Sequence, residues 1–196
     1  MTALGMLYDK DFFDSSCRQE LIITAIKPVV ESLIDLYKPS SVIDFGCGDG
    51  LYLGEFIRRG IKVQGYDNSR EALRRAKIKR LPIKKYNIVK DALIISQKAD
   101  LAICFEVAEH LPESCSKKLV KTLTTCSDSI VFTAAPPGQG GTNHINEKPC
   151  SFWIKIFNLS KYYLDKSDTE VLKKKWTELG VVNYMITNLM VFKRMK

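Results

Sequence analysis

Histidine is scarce: the 196 residues hold two, His110 and His144, so any site that needs imidazole must be built from that pair. Cysteine never takes a pairing spacing. The six, at 17, 47, 104, 115, 126 and 150, contain no C-x-x-C step, which excludes a zinc knuckle or a dithiol redox motif. They read as free thiols in a reducing compartment, none of them catalytic. Long apolar runs are missing too. None approaches the roughly 18–20 residues that cross a bilayer. The amino-terminal stretch MTALGMLYDKDFFDSS turns acidic and aromatic where a signal peptide would stay apolar. These absences predict a soluble cytoplasmic protein with no membrane partner. Neither an internal repeat nor a low-complexity linker divides the chain, so a single domain over 1–196 is expected.

What is present suits a globular enzyme. A hydrophobic fraction of 45% can build a core, and 27% charged residues argue against disorder. Lys and Arg outnumber Asp and Glu by 30 to 22, a net charge of +8. The excess concentrates in 70–80 (REALRRAKIKR), Lys84–Lys85 and 173–175. It reads either as solvated helix faces or as attraction for an anionic partner such as RNA, a nucleotide-linked sugar or a phosphorylated small molecule.

Apolar residues recur at helical spacing through 17–37, with Pro28 inside as a kink or a break. Strands at 41–45, 62–66, 83–86, 101–105 and 129–134 then alternate with helices at 51–59, 69–79 and 113–126. Such alternation predicts an α/β fold, a mostly parallel sheet with helices on both faces and right-handed crossovers. After a loop at 135–150, helices at 151–159 and 167–179 precede two apolar runs, 181–186 and 189–193. The two runs read as a C-terminal antiparallel hairpin that closes the edge of a seven-stranded sheet.

The strongest local signal is VIDFGCGDG, residues 42–50. An apolar strand delivers Asp44, and Gly46, Gly48 and Gly50 follow at alternate positions. Glycine lets backbone pass close to a ligand where a side chain would collide, and the helix that follows offers free amides to polar groups. The dinucleotide fingerprint reads G-x-G-x-x-G and cradles a pyrophosphate. An acid two positions before the first glycine would repel that group, but suits a cationic ligand.

With these residues the chain resembles the class I, Rossmann-like S-adenosylmethionine-dependent methyltransferases. DFGCGDG is similar to that family's first motif, with Asp44 suited to the sulfonium and ammonium of the cofactor. VQGYDNS ends the second strand at Asp67, followed by Asn68. There the resemblance implies an acid on both ribose hydroxyls, and a carboxylate can accept two hydrogen bonds from a vicinal diol. KDAL presents Asp91 and Ala92 after the third strand, where the family contacts the adenine amino group. DLAICFEVAEHLP, 100–112, resembles the fourth motif and implies that Phe105, Glu106 and Val107 lie beside the methionine portion. YDKDFF resembles a segment that folds over the cofactor, with Tyr8 near the methyl group and 1–16 as its cover. The resemblance spans about residues 6–135. It implies S-adenosylmethionine as cofactor, held by Asp44, Gly46, Cys47, Gly48, Gly50, Asp67, Asn68, Asp91, Ala92 and Phe105.

The loop at 135–150 follows the fifth strand, on the side where open α/β sheets bind ligands. Its stretch GGTNHINEKP is similar to one found in a group of small bacterial and phage-type methyltransferases. His144 is there either a general base for an oxygen or nitrogen acceptor or an anchor of the loop. The expected catalytic residues are His144, Glu106 and Tyr8, with no metal. An alternative remains open, because Glu106, Glu109 and His110, as E-x-x-E-H, together with His144 resemble the metal site of small-RNA 3′-terminal 2′-O-methyltransferases. The expected reaction is methyl transfer to an oxygen or nitrogen of a small anionic or polar metabolite, such as a sugar or nucleotide-sugar. RNA is the alternative acceptor. A non-catalytic cofactor-binding subunit and a nicotinamide-dependent oxidoreductase are the rivals from other classes.

Overall fold

A computed structural model describes residues 8–14, 16–92 and 97–196, the side chains of 16–24 excepted. Of the expected covering segment, 1–16, residues 1–7 and 15 lie outside the described residues. The order is α1 (Lys10–Asp14), α2 (Ser16–Tyr37), β1 (Ser41–Phe45), α3 (Leu51–Arg58), β2 (Lys62–Asp67), α4 (Arg70–Ile78) and β3 (Ile83–Lys85). There follow β4 (Leu101–Phe105), α5 (Ser116–Cys126), β5 (Ser129–Thr133), α6 (Cys150–Leu159), β6 (Tyr162–Leu164), α7 (Lys166–Glu178), α8 (Asn183–Asn188) and β7 (Met190–Arg194). Two short 3-10 turns, Ala108–His110 and Glu113–Cys115, stand between β4 and α5. Helix α2 runs through Pro28 without interruption.

The seven strands form one sheet in the order β3-β2-β1-β4-β5-β7-β6. The first five pair in parallel, while β7 runs antiparallel to both β5 and β6. Alternate side chains leave opposite faces of a strand, and the two cores follow that rule. Ile43, Ala102, Cys104, Ile130 and Phe132 pack with Leu119, Leu123, Trp153 and Phe157 of α5 and α6. Val42, Leu101, Ile103 and Val131 pack with Val29, Leu33, Phe56 and Trp176 of α2, α3 and α7. Trp176 is fully buried, and its indole N–H donates to Ser32 Oγ at 2.7 Å, which satisfies the one polar atom that burial would strand.

The antiparallel pair at the sheet edge is present, but its first strand is not the one expected. Tyr162–Leu164 pairs with β7, and the run 181–186 instead enters helix α8. The reason lies in its spacing. Val181, Met185 and Leu189, four residues apart, are all buried on one side, a helical period in a segment too short for alternation to be told from it. This exchange moves Tyr184 and Asn188 to the functional face.

Candidate functional site

The strand order reverses direction between β1 and β4, with β2 and β3 to one side and β5 to the other. Open α/β sheets leave a crevice outside the carboxyl ends of their strands at such a switch point. Here the crevice is a cavity of about 420 Å³, lined from the ends of β1, β2 and β4, from α8 and from the amino-terminal segment.

Asp44 stands one residue before the end of β1 and is 2% exposed. Its Oδ2 has no hydrogen-bond partner among the described residues. Burial first, and the Asp67 charge second, push its carboxyl well above the usual range. The chain then turns at Gly46 with φ 71°, and a Cβ there would lie 2.3 Å from Val107 Cγ2. The missing side chain lets the exit of β4 close onto the loop. Gly48 and Ser69 each donate a backbone N–H to Asp67, to Oδ2 and Oδ1 respectively, both at 2.8 Å. The carboxylate is thereby aimed, with lone pairs left for a ligand. Burial raises it and these amide bonds oppose the rise. Cys47 lines the cavity, its thiol pushed up by burial. Gly50, the residue before α3, does not line it; a Cβ there would lie 2.6 Å from Leu81 Cδ1.

Past Asp67 the wall is formed by Asn68, Asn87, Ile88 and Val89 with Leu111 and Pro112. Asp91 and Ala92 are exposed and outside the lining. Asp91 instead accepts from the Asn87 backbone N–H at 2.8 Å, while Asn87 Oδ1 accepts from Val89 at 3.0 Å. The acid therefore pins the turn that presents Ile88 and does not itself face the cavity. Tyr8 does line it, edge-on to Phe12 and His110 at 4.8 and 5.5 Å between ring centres. The Tyr8 hydroxyl is buried without a partner among the described residues, and its carbonyl accepts from Ser69 Oγ at 2.9 Å. That bond ties the amino-terminal segment to the residue that caps α4.

Beyond Phe105 the backbone passes through Glu106 at φ 52°, a conformation that a bulky residue keeps only where its surroundings hold it. Here they do. Its N–H donates to Thr133 Oγ1 at 3.0 Å. Its carboxylate accepts from Asn188 Nδ2 at 3.0 and 3.2 Å and from Gln139 Nε2 at 3.2 Å. Asn188 Nδ2 also donates to Gln139 Oε1 at 2.9 Å. Tyr52 and Tyr184 line the cavity with Glu106. The Tyr52 hydroxyl is raised by burial and then by Tyr184, Asp44 and Glu106.

His144 is outside the lining. Its Nδ1 pairs with Glu147 Oε1 at 2.9 Å, and Glu147 also accepts the backbone N–H of Gly138 and Gly140 at 2.8 and 2.7 Å. His144 is thereby tied into the loop that delivers Gln139 to Glu106. The four-residue metal set is not assembled. Glu109, His110 and His144 bring one ligand atom each within 4.8 Å of one another, while Glu106 is turned to Asn188 and Gln139. Burial and the nearby Glu106 charge raise the fully buried Glu109, and burial lowers His110.

Tyr52, Tyr184, Gln139 and Asn188 were not expected at the site. Asn188 read as part of a turn between two strands, and only its place at the end of α8 brings it to Glu106. Among the described residues Lys79 pairs with Asp49 Oδ2 at 2.8 Å from outside the lining. The described lining contains four carboxylates, Asp44, Asp49, Asp67 and Glu106, with no lysine or arginine.

An acid–glycine loop after β1, a second acid at the end of β2 and a cavity across the switch point define a Rossmann-like methyltransferase of class I. The chain belongs to that family: residues 18–131, more than half of it, match the family described as methyltransferase domain. A ubiquinone biosynthesis O-methyltransferase of Leptothrix cholodnii is 28% identical over 134 residues, covering 65% of this chain and 53% of the relative. The chain thus spans about half the length of the curated relatives it matches. Among solved structures, the magnesium protoporphyrin IX methyltransferase of Synechocystis PCC 6803, with bound S-adenosylhomocysteine, superposes with a TM-score of 0.65 at 19% identity, covering 83% of this chain and 90% of that one. The sugar N-methyltransferase KedS8 of a Streptoalloteichus species gives 0.72 at 13% identity, covering 100% and 96%. At these identities the likeness is one of fold. The family's cofactor is S-adenosylmethionine. No helix among the described residues is long and apolar enough to cross a membrane.

Proposed function

We propose that this chain transfers a methyl group from S-adenosylmethionine to an oxygen or nitrogen of a small polar acceptor. The observation that carries the reading is one cavity that joins Asp44 and Asp67 to Glu106. The site fits the cofactor on its own terms, because Asp44 holds a buried, unpartnered oxygen in the cavity wall and Gly46 leaves the backbone bare beside it. Asp44 would hold the cationic end, Asp67 the ribose hydroxyls, and Asn68 with the Asn87–Val89 turn the adenine. When bound, the cofactor supplies an electrophilic methyl group. The rest is positioning, the main lever for a displacement of this kind. Tyr8 and Phe12 cover the cavity and exclude water. Glu106 takes the proton that the acceptor gives up, and a carboxylate held by two amides is well placed for it. His144 acts on the loop rather than on the acceptor. Relatives named for O-methylation and a structural neighbour named for sugar N-methylation keep both acceptor atoms in range.

The test is transfer of tritiated methyl from the cofactor into fractionated extract of the source organism, with and without EDTA. Label in small molecules, indifferent to EDTA, supports the reading, and absence of label there refutes it. A second reading, divalent-ion-dependent methylation of an RNA end, is favoured by the convergence of Glu109, His110 and His144. Nuclease-sensitive label that EDTA suppresses would establish it.

A further inference from the structure

A chain of net charge +8 lines its cavity with four carboxylates and no described lysine or arginine. Asp67 and Asp44 are accounted for by the cofactor on the reading above. Glu106 is not. The hydrogen bonds to its carboxylate come from the neutral amides of Asn188 and Gln139, from α8 and from the loop after β5. The buried Glu109 against it is another carboxyl, raised by burial and then by Glu106, and so brings no positive charge. Two neutral donors orient the carboxylate and leave its charge uncancelled, and among the described residues it makes no ion pair. One acceptor is left over in the same cluster. Asn188 is 2% exposed, its nitrogen is spent on Glu106 and Gln139, and its Oδ1 has no partner among the described residues. Asp44 Oδ2, also buried and unpartnered, lies in the same wall. Aromatic rings complete the surroundings. Tyr52 stands edge-on to Phe105 at 5.3 Å, and Tyr184 lines the cavity with them.

The geometry points to an acceptor that presents a protonatable amine, seated on Glu106 among Tyr52, Tyr184 and Phe105, with Asn188 and Gln139 as the positioning residues. The inference rests on the methyltransferase reading and narrows its acceptor. An ammonium is drawn to the Glu106 carboxylate and the aromatic rings beside it; proton transfer to Glu106 frees the nitrogen lone pair that takes the methyl group, and the thioether S-adenosylhomocysteine leaves. A neutral hydroxyl gains only the hydrogen bond. A carboxylate or phosphate acceptor meets the like charge of Glu106, and among the described lining residues no lysine or arginine offsets it. The positive surface and the negative cavity therefore act on different partners, and the anionic acceptor suggested by net charge is disfavoured at the point where it would react.

The experiment uses the full chain, tritiated S-adenosylmethionine and the small-molecule fraction of the same extract. Products are passed over a cation exchanger at pH 7 and eluted at pH 11. Label retained at the lower pH and released at the higher, beyond an enzyme-free control that accounts for the cationic S-adenosylmethionine itself, is a methylated product that carries an amine, and supports the inference. Label in the flow-through, or on an anion exchanger, overturns it while the wider methyltransferase reading stands. No small-molecule label at all, with S-adenosylhomocysteine still bound, overturns both. Once the labelled amine is isolated, its unmethylated form serves as substrate. Glu106→Gln should lower kcat/KM by about tenfold or more. Gln139 is exposed, so Gln139→Ala tests the clamp without risk to the fold. It should raise KM several-fold with kcat and S-adenosylhomocysteine affinity unchanged. Unaltered KM in both variants would refute the seat on Glu106.

Discussion

Asp44→Asn is the sharpest single perturbation, because it should improve the fold and harm the site at once. The substitution keeps the shape and exchanges one oxygen for an NH2. In the cofactor-free protein the native carboxyl is 2% exposed with one oxygen unpartnered. It is either charged without compensation or protonated against its preference in water, and both states are costly. The amide carries no charge and needs no proton, so it escapes the cost of about 1.4 kcal/mol for each pH unit above the ordinary carboxyl value, and each kcal/mol in a chain of this size raises Tm by about 2–4 °C. The sign with pH follows from linkage. The folded-state pKa lies above the ordinary 3.8, so the folded protein holds a proton that the unfolded chain releases. The wild type therefore loses stability as pH rises from 3.8 towards the folded value, by about 1.4 kcal/mol per unit. The advantage of the variant should vanish at the acid end of that window and grow across it. Cofactor binding should move the other way. Loss of a charge-assisted contact to the cationic end costs about 1.5–3 kcal/mol, roughly 10- to 150-fold in Kd. Thermal melts without cofactor at two pH values, with calorimetric titration of S-adenosylmethionine, check both arms. A variant that melts lower than the wild type while binding as tightly would refute the reasoning.

Asp67→Ala should weaken S-adenosylhomocysteine binding by about 10-fold or more, whereas Asp91→Ala, which only loosens the Asn87 turn, should cost several-fold at most. Equal losses by calorimetry would return Asp91 to the cavity wall. Gly46→Ala drives a Cβ to 2.3 Å from Val107 at a φ of 71°, and should lower stability by about 2 kcal/mol or more and abolish cofactor binding. A normal melt would contradict the close approach. Glu147→Ala removes the acceptor shared by Gly138, Gly140 and His144. It should lower kcat/KM about tenfold with S-adenosylhomocysteine affinity unchanged, and turnover equal to wild type would show that the loop positions nothing. Wild-type affinity for S-adenosylmethionine should fall as pH drops below the raised pKa of Asp44, because binding the cation then expels a proton.

The part of the site that was legible in the sequence is the part built by local rules. Asp44, Gly46 and Gly48 sit on a strand that ends in a loop, and Asp67 ends the next strand, so order and spacing alone place them. Past Asp67 the structure lines the cavity with the Asn87–Val89 turn and leaves Asp91 and Ala92 outside it. Asp91 stands in the expected interval, but its side chain caps the Asn87 turn, and an acid that hydrogen-bonds its own loop has the same local signature as one that faces a ligand. The surroundings of Glu106 obeyed no local rule. Gln139 and Asn188 are 49 residues apart in the chain and meet only because β7 returns antiparallel beside β5, which carries α8 over the ends of the strands. The decisive ambiguity was in 181–189, where an apolar residue every fourth position fits a short helix and the intervening apolar residues fit a strand. Read as a strand, the segment buries its alternate residues at the sheet edge; read as a helix, it spends Val181, Met185 and Leu189 on the core and frees Tyr184 for the cavity. A one-element difference in secondary structure thus decides whether Glu106 has a clamp. Net charge is no guide to the cavity for the same reason: +8 belongs to the whole chain, whereas the cavity is lined from the ends of β1, β2 and β4 and from α8.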